Sequence, residues 1–436
     1  MSRALTLTRR HMLKTVAHLA GACALGVSTP LVASASASAG RVVVVGGGFG
    51  GATAAKYIKR RNPSIEITLI EPSPQFYTCP FSNLYLGGLR GFDAQTHGFD
   101  ELRHLGVRVL QAYAQDVDTT GKKLKLSTGE HISYDKLVLS PGIDIRWNAL
   151  AGYDEAAAQL APHAWKAGQQ TQILKRQLDE MPDGGLFVMV APANPYRCPP
   201  GPYERASMVA YYLKTHKPKS KILILDAKNN FSKQTLFMDA WKQLYGDMIE
   251  WVPANKDGNV IRVDAKNLTV ETEFNVKHQA AVLNVIPPQY AGLIAQRAGV
   301  TNKSGWVPVH AQTFESSQVP DIYVVGDATI AAPMPKSGFC ANAQGKVVAA
   351  AIVNALAGKE AATASWANTC YSLVGPDYGI SVAGVYGVSE GKIVEIKGSG
   401  GVSPKNASHD IRKREADYGL AWYNAIAQDT WGTKVS

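Results

Sequence analysis

Arg41-Val42-Val43-Val44-Val45 runs straight into Gly46-Gly47-Gly48-Phe49-Gly50-Gly51, and few folds accept that passage. Four consecutive valines read as a strand buried on both faces, as in a parallel sheet covered by helices. The glycines at 46, 48 and 51 form a G-x-G-x-x-G. Gly46 serves the tight turn, Gly48 lets the backbone approach a pyrophosphate, and Gly51 lets the next helix pack on the strand. The pattern predicts a helix over 52–60 and a second strand over 65–70 that ends at Glu71. The helix N-terminus would offer amides and partial positive charge to phosphates. Glu71, twenty residues beyond Gly51, stands where an acid accepts from a ribose hydroxyl.

A second strand pair follows, Leu186-Phe187-Val188-Met189-Val190 and Lys221-Ile222-Leu223-Ile224-Leu225-Asp226, with a helix predicted over 204–215. Its connecting loop, 191–202, holds five prolines instead of glycines. Proline lacks an amide hydrogen and stiffens the chain, so this loop cannot cradle a pyrophosphate as the first turn can. A nicotinamide dinucleotide is therefore not the expected ligand of the second unit. Cys198 occupies the place instead, beyond the carboxyl end of a strand, where open α/β sheets put their chemistry.

The net charge of +10 invites a nucleic-acid reading, but residues 1–39 carry Arg3, Arg9, Arg10 and Lys14 and no acid. Arg9 and Arg10, a mildly apolar run, and Ala33-Ser34-Ala35-Ser36-Ala37-Ser38-Ala39 together read as a cleavable twin-arginine export signal. Without it 41 basic residues face 35 acidic ones, a net of +6, and the case for nucleic acid falls away. The expected location is the periplasm. His18 and several glycines interrupt the apolar run, and no other stretch of 18 apolar residues exists, so no integral membrane segment is expected. The rest, 46% hydrophobic and 18% charged, is globular and long enough for two or three domains.

Cys23 leaves with the signal, and Cys79, Cys198, Cys340 and Cys370 remain. Four cysteines allow three full pairings, and spacing alone does not choose among them. No Cys-x-x-Cys-His is present, so no haem c is expected on this chain, and no metal site is read.

Two further segments, Leu137-Val138-Leu139-Ser140-Pro141-Gly142 and Ile322-Tyr323-Val324-Val325-Gly326-Asp327, complete a resemblance to the flavoprotein disulfide reductase superfamily. That resemblance implies FAD, with Asp327 hydrogen-bonding its ribityl chain. It also implies an α/β fold of two Rossmann-like, glutathione-reductase-like domains with a C-terminal interface domain. The expected boundaries are 40–152 with 262–335 for FAD, 153–261 for the second unit, and 336–436 for the last. More specific are Phe76-Tyr77-Thr78-Cys79, Tyr196-Arg197-Cys198-Pro199-Pro200-Gly201-Pro202-Tyr203-Glu204, Met334-Pro335-Lys336-Ser337-Gly338 and Asn368-Thr369-Cys370-Tyr371-Ser372. These blocks closely resemble the flavoprotein subunit of flavocytochrome c sulfide dehydrogenase.

The resemblance implies an 8α-S-cysteinyl bond from Cys79 to FAD and a redox disulfide between Cys198 and Cys370, 172 positions apart. It implies oxidation of hydrosulfide to sulfane sulfur or polysulfide. Disulfide exchange is read as leaving the persulfide on Cys198 and the flavin-facing thiolate on Cys370. Glu204, six residues past Cys198 at a helix start, is placed either to shuttle a proton or to complement the helix dipole. Electrons would leave to a separate c-type cytochrome subunit carrying the haem, in a heterodimer. Cys340 is read as a small buried residue, Trp422 and Tyr423 as core, and a helix over 340–356 as pointing its N-terminus at the flavin. A sulfide:quinone oxidoreductase is the nearest alternative, and a non-catalytic electron-transfer subunit the other. The segment 411–428 carries five charges between Arg412 and Asp417 and lacks a broad apolar face for membrane attachment.

Overall fold

The computed structural model describes residues 39–432; the expected export signal, up to Ser38, lies outside them. Five parallel strands form the first sheet in the order Ile322–Val324, Lys136–Leu139, Arg41–Val45, Glu66–Ile70, Arg108–Leu110. The valine strand lies inside the sheet with Val42 to Val45 all buried, which is why it carries no polar alternation. Burying each such side chain contributes roughly 1.5–3 kcal/mol. The following helix spans Phe49–Arg61 and so starts three residues before the predicted one. Gly48 takes the N-cap position, and the helix closes on Lys59, Arg60 and Arg61, which suit its negative end. Against it packs the apolar helix Gly338–Leu356, where a Cβ at Gly345 would sit 2.6 Å from Gly50 O. That second helix is the one described helix long and apolar enough to cross a membrane, and half of it is buried within the fold.

The second sheet is also parallel, in the order Ile249–Val252, Lys221–Asp226, Leu186–Ala191, Val282–Val285. Strands Val260–Asp264 and Thr269–Thr272 place Val260, Val263 and Val270 in one core with Val188, Leu223 and Leu283 of this sheet. The expected return to the first domain at 262 is therefore corrected. Val282–Val285 pairs with Leu186–Ala191, and the chain recrosses only where Gln289–Ala291 pairs antiparallel with Ile143–Ile145. The helix predicted from Glu204 spans Gly201–His216, because Pro200 and Pro202 sit at its start, where no amide hydrogen is needed. Asp226, at the end of the second strand of this unit, is fully buried. It accepts from Tyr203 Oη, Trp251 Nε1 at 2.9 Å and Lys228 Nζ at 2.6 Å. The acid that would hold a second nucleotide is thus committed to the chain's own groups.

The C-terminal part pairs Ser365–Gly375 with Tyr378–Ser389 in a long antiparallel ribbon, crossed by the helix His409–Trp431. Ribbon and helix meet backbone to backbone, since a Cβ at Gly379 would lie 2.3 Å from Ala416 N. The helix end returns to the glycine turn, where Trp431 Nε1 donates to Gly47 O at 2.9 Å and the indole stacks on His97. Tyr423 Oη shares hydrogen bonds with Thr78 Oγ1 at 2.6 Å and His97 Nε2 at 2.9 Å, tying the helix to the loop that carries Cys79.

Two outcomes follow for stability. Gly379→Ala forces ribbon and helix apart and should cost about 1–3 kcal/mol, read as a lowered thermal midpoint. His97 is held neutral, its pKa pushed down to about 4 by burial and by nearby Arg90, and burial holds His163 down at about 3. The unfolded chain takes up these protons near pH 6.5, while the folded protein does not. Stability should therefore be complete above pH 6.5 and fall as pH drops toward 4, by up to about 3 kcal/mol for His97. His97→Asn should flatten that slope in denaturant titrations across the same range.

Candidate functional site

Residues that follow the carboxyl ends of both parallel sheets line one cavity of about 890 Å³. The glycine turn forms one end. Gly46 has φ +98°, and a Cβ there would lie 2.2 Å from Ser140 O, so only glycine makes this turn. No side chain caps the following helix and its first turn holds no acid, which leaves the positive end of the helix to an anion. Glu71 lines the same end, accepting from Gly47 N at 2.8 Å and Ser73 N at 3.1 Å. Burial pushes its carboxyl up, and the two amides draw it back. Each oxygen keeps a lone pair for a hydroxyl.

Asp327, in the short turn Gly326–Ala328, stands further along the cavity. Its Oδ2 accepts from Arg197 Nε at 2.7 Å, while Oδ1 is buried without a partner among the described residues. A buried carboxylate oxygen left open in a cavity wall is what a ribityl hydroxyl would satisfy. The glycine turn, Glu71 and Asp327, lining one cavity, thus fit FAD. Lys336 Nζ donates to Asp327 O at 2.8 Å and Thr329 O at 2.7 Å over the Trp306 ring, and burial pulls its pKa down to about 8. The helix Gly338–Leu356 opens beside it, capped by Ser337 Oγ, which accepts from Cys340 N at 3.0 Å. Cys340 itself is buried, and burial pushes its thiol up to about 12.

Cys79 also lines the cavity, its thiol donating to Trp165 O at 3.0 Å and accepting from Arg197 Nη1 at 3.4 Å. Cys198 and Cys370 reach the same cavity from opposite halves of the chain. Cys198 holds φ +56°, a left-handed conformation that costs on the order of 1–3 kcal/mol in a non-glycine residue. The Cys198 N to Lys336 O bond at 2.8 Å and the Gly201 N to Cys198 O bond at 2.8 Å keep it there. All four described cysteines are free, so the structure brings the expected redox pair together without bonding it. Burial raises both thiols, Cys370 to about 11 and Cys198 well above its ordinary value.

Glu204 lines this end too, accepting from Ser372 Oγ, and burial raises its carboxyl. Lys233 Nζ donates to Ser372 Oγ and to Cys370 O at 3.0 Å. The two sulfurs therefore differ electrically. The Glu204 charge opposes ionisation of both, and the Lys233 charge offsets it at Cys370. Trp422, read from sequence as core, faces the cavity and stacks on Phe339, while Tyr423 is core as expected. Sequence reasoning assigned no role to Arg197, Lys233, Lys336 or Ser372. Arg197, Lys336 and Ser372 sit inside the quoted blocks, but a charged or hydroxyl residue on a loop or strand edge has no periodic signature. Lys233 opens a helix far from every motif, and nothing in the sequence marks it.

Residues 40–181 match the family of pyridine nucleotide-disulphide oxidoreductases. Residues 171–287 match the central part of the sulfide dehydrogenase (flavocytochrome c) flavoprotein chain, and 362–431 the flavin-binding part of flavocytochrome c sulphide dehydrogenase. A stretch of 43 residues is 67% identical to the sulfide dehydrogenase (flavocytochrome c) flavoprotein chain of Chlorobaculum thiosulfatiphilum, covering 10% of this chain and 90% of that one. The mitochondrial sulfide:quinone oxidoreductase of Mus musculus is 25% identical over 297 residues. That match covers 66% of this chain and 65% of the mouse protein, a little under two thirds of its length. The solved sulfide:quinone oxidoreductase of Aquifex aeolicus shares the fold, with a TM-score of 0.70 at 18% identity over 90% of this chain and 92% of that one. Two matched segments and the 67% identical stretch agree, and the chain belongs to the family of flavocytochrome c sulfide dehydrogenase flavoprotein chains.

Proposed function

We propose that this chain oxidises hydrosulfide through Cys198 and Cys370 with FAD as its cofactor, and hands electrons singly to a separate c-type cytochrome subunit. The observation that carries the reading is the arrival of these two cysteines, from halves of the chain 172 positions apart, in the cavity that begins at the glycine turn. In the oxidised pair, hydrosulfide attacks Cys198 Sγ, the S–S bond breaks, and Cys370 leaves as thiolate. Lys233 favours that direction, because its charge stabilises the thiolate on Cys370. A second hydrosulfide takes the outer sulfur from the Cys198 persulfide as hydrogen disulfide, leaving two thiols. Bound FAD supplies the acceptor for the electron pair released when those thiols close again to a disulfide. Glu204 holds and releases the proton of incoming hydrogen sulfide, a role its buried, upshifted carboxyl supports. Glu71 and Asp327 are the residues to hold the ribose and ribityl hydroxyls, and Cys79 the one to tether the flavin.

Cys198→Ser should abolish bleaching of the flavin absorbance by added sulfide while leaving the bound flavin in place. Bleaching that survives would remove Cys198 from the route. The family membership supports cytochrome c as acceptor, whereas the longer matches to sulfide:quinone oxidoreductases favour a quinone. Supplying purified protein and sulfide with cytochrome c or with a quinone separates the two, and faster turnover with cytochrome c is expected. Export to the periplasm follows from Arg9 and Arg10. Changing both to lysine should leave the flavoprotein in the cytoplasmic fraction.

A further inference from the structure

Arg197 joins two groups that the reaction treats separately. Its Nε donates to Asp327 Oδ2 at 2.7 Å, and its Nη1 donates to Cys79 Sγ at 3.4 Å and Trp165 O at 3.2 Å. The carboxylate fixes one edge of the guanidinium and turns another toward sulfur. Lysine, a single point charge, cannot do both. Gly142 makes room for the fork, since a Cβ there would lie 2.6 Å from Arg197 Nη2. Little water reaches the ion pair, whose side chains are 19% and 14% exposed, so its charges are weakly screened. Arg197 pairs with the carboxylate of Asp327, while Lys336 donates to the backbone carbonyl of the same residue, and the guanidinium lies beside Cys79.

We propose that Arg197 is the positioning residue that makes Cys79 the nucleophile for its own attachment to the flavin. This rests on the reading that FAD fills the cavity and that Cys79 is its tether. The guanidinium donates to the sulfur while the carbonyl of Trp165 accepts its hydrogen, so the thiol is aimed and the charge that grows on sulfur as the bond forms is stabilised. The bond formed joins Cys79 Sγ to a methyl carbon on the benzenoid ring of the flavin. The thiol gives up its hydrogen and the methyl group gives up one. Both hydrogens, with two electrons, reduce the flavin, and the one-electron acceptor that serves turnover, or molecular oxygen, re-oxidises it. The tether therefore forms once per molecule, with no other enzyme and no activated donor.

The test uses the full chain as wild type, Arg197→Gln, Arg197→Lys and Cys79→Ser, each loaded with FAD. Bound flavin is read by absorbance, and tethered flavin by the colour retained after acid precipitation and by the mass of the Cys79 peptide. Wild type should keep its flavin in acid, and Cys79→Ser should bind flavin and release all of it. Arg197→Gln should bind flavin but tether it at least about tenfold more slowly, the effect of losing one charge-assisted hydrogen bond to the reacting sulfur. Arg197→Lys should fall between. Tethering by Arg197→Gln at the wild-type rate overturns the proposal. Wild type that releases all its flavin in acid overturns instead the reading of Cys79 as tether, and the proposal with it. Where Arg197→Gln binds no flavin, alkylation of Cys79 by iodoacetamide in the flavin-free chain decides. A rate at least about tenfold below wild type near neutral pH supports the proposal, and an equal rate overturns it.

Discussion

Around the glycine turn the backbone of three distant segments closes to distances that leave no space for a side chain. A Cβ at Gly46 would strike Ser140 O at 2.2 Å, one at Gly51 would strike Gly46 O at 2.0 Å, and one at Gly345 would strike Gly50 O at 2.6 Å. The valine strand, the strand that ends at Leu139 and the apolar helix Gly338–Leu356 are thereby held to one point. Trp431 adds a fourth segment through its bond to Gly47 O. Part of what lines the cavity follows elements fixed there. Asp327 follows the outer strand of the same sheet, Lys336 precedes the apolar helix, and Cys370 lies on the ribbon beyond it.

That closeness explains what the amino-acid order discloses. Tight backbone contacts demand glycine and double burial demands aliphatic runs, so the strand, the turn and Glu71 could be read directly. The helix start was read three residues late because Gly48 caps without a side chain, and the Ser, Thr, Asp or Asn that usually marks an N-cap is absent. The extent of the second domain was misjudged because Val260–Asp264 and Thr269–Thr272 look like any short antiparallel strands until their valines are seen in its core. For Cys370 only resemblance spoke, since nothing local on a ribbon strand says which other cysteine it will face. Arg197 and Lys233 act through direction and distance, which a linear order does not record.

The cavity carries a different electrical character at each sulfur. Beside Cys79 stands Arg197, paired with Asp327; beside Cys198 stands Glu204; and the Cys370 strand is held by Lys233. Three cysteines in one wall are thus chemically unequal without any metal to distinguish them. The inequality comes from which charged side chain each loop delivers.

Asp226 and its buried partners bear on how the second unit is maintained. In a nucleotide-binding fold the corresponding acid waits for a ribose, and part of the stability of that fold is lent by the ligand through mass action. Here Lys228, Tyr203 and Trp251 occupy it permanently. The unit is consequently indifferent to the nucleotide pool of its surroundings. Restoring glycines to the proline loop would not by itself recover a nicotinamide site. An incoming ribose would first have to evict a lysine, a tyrosine and a tryptophan from the acid they already share.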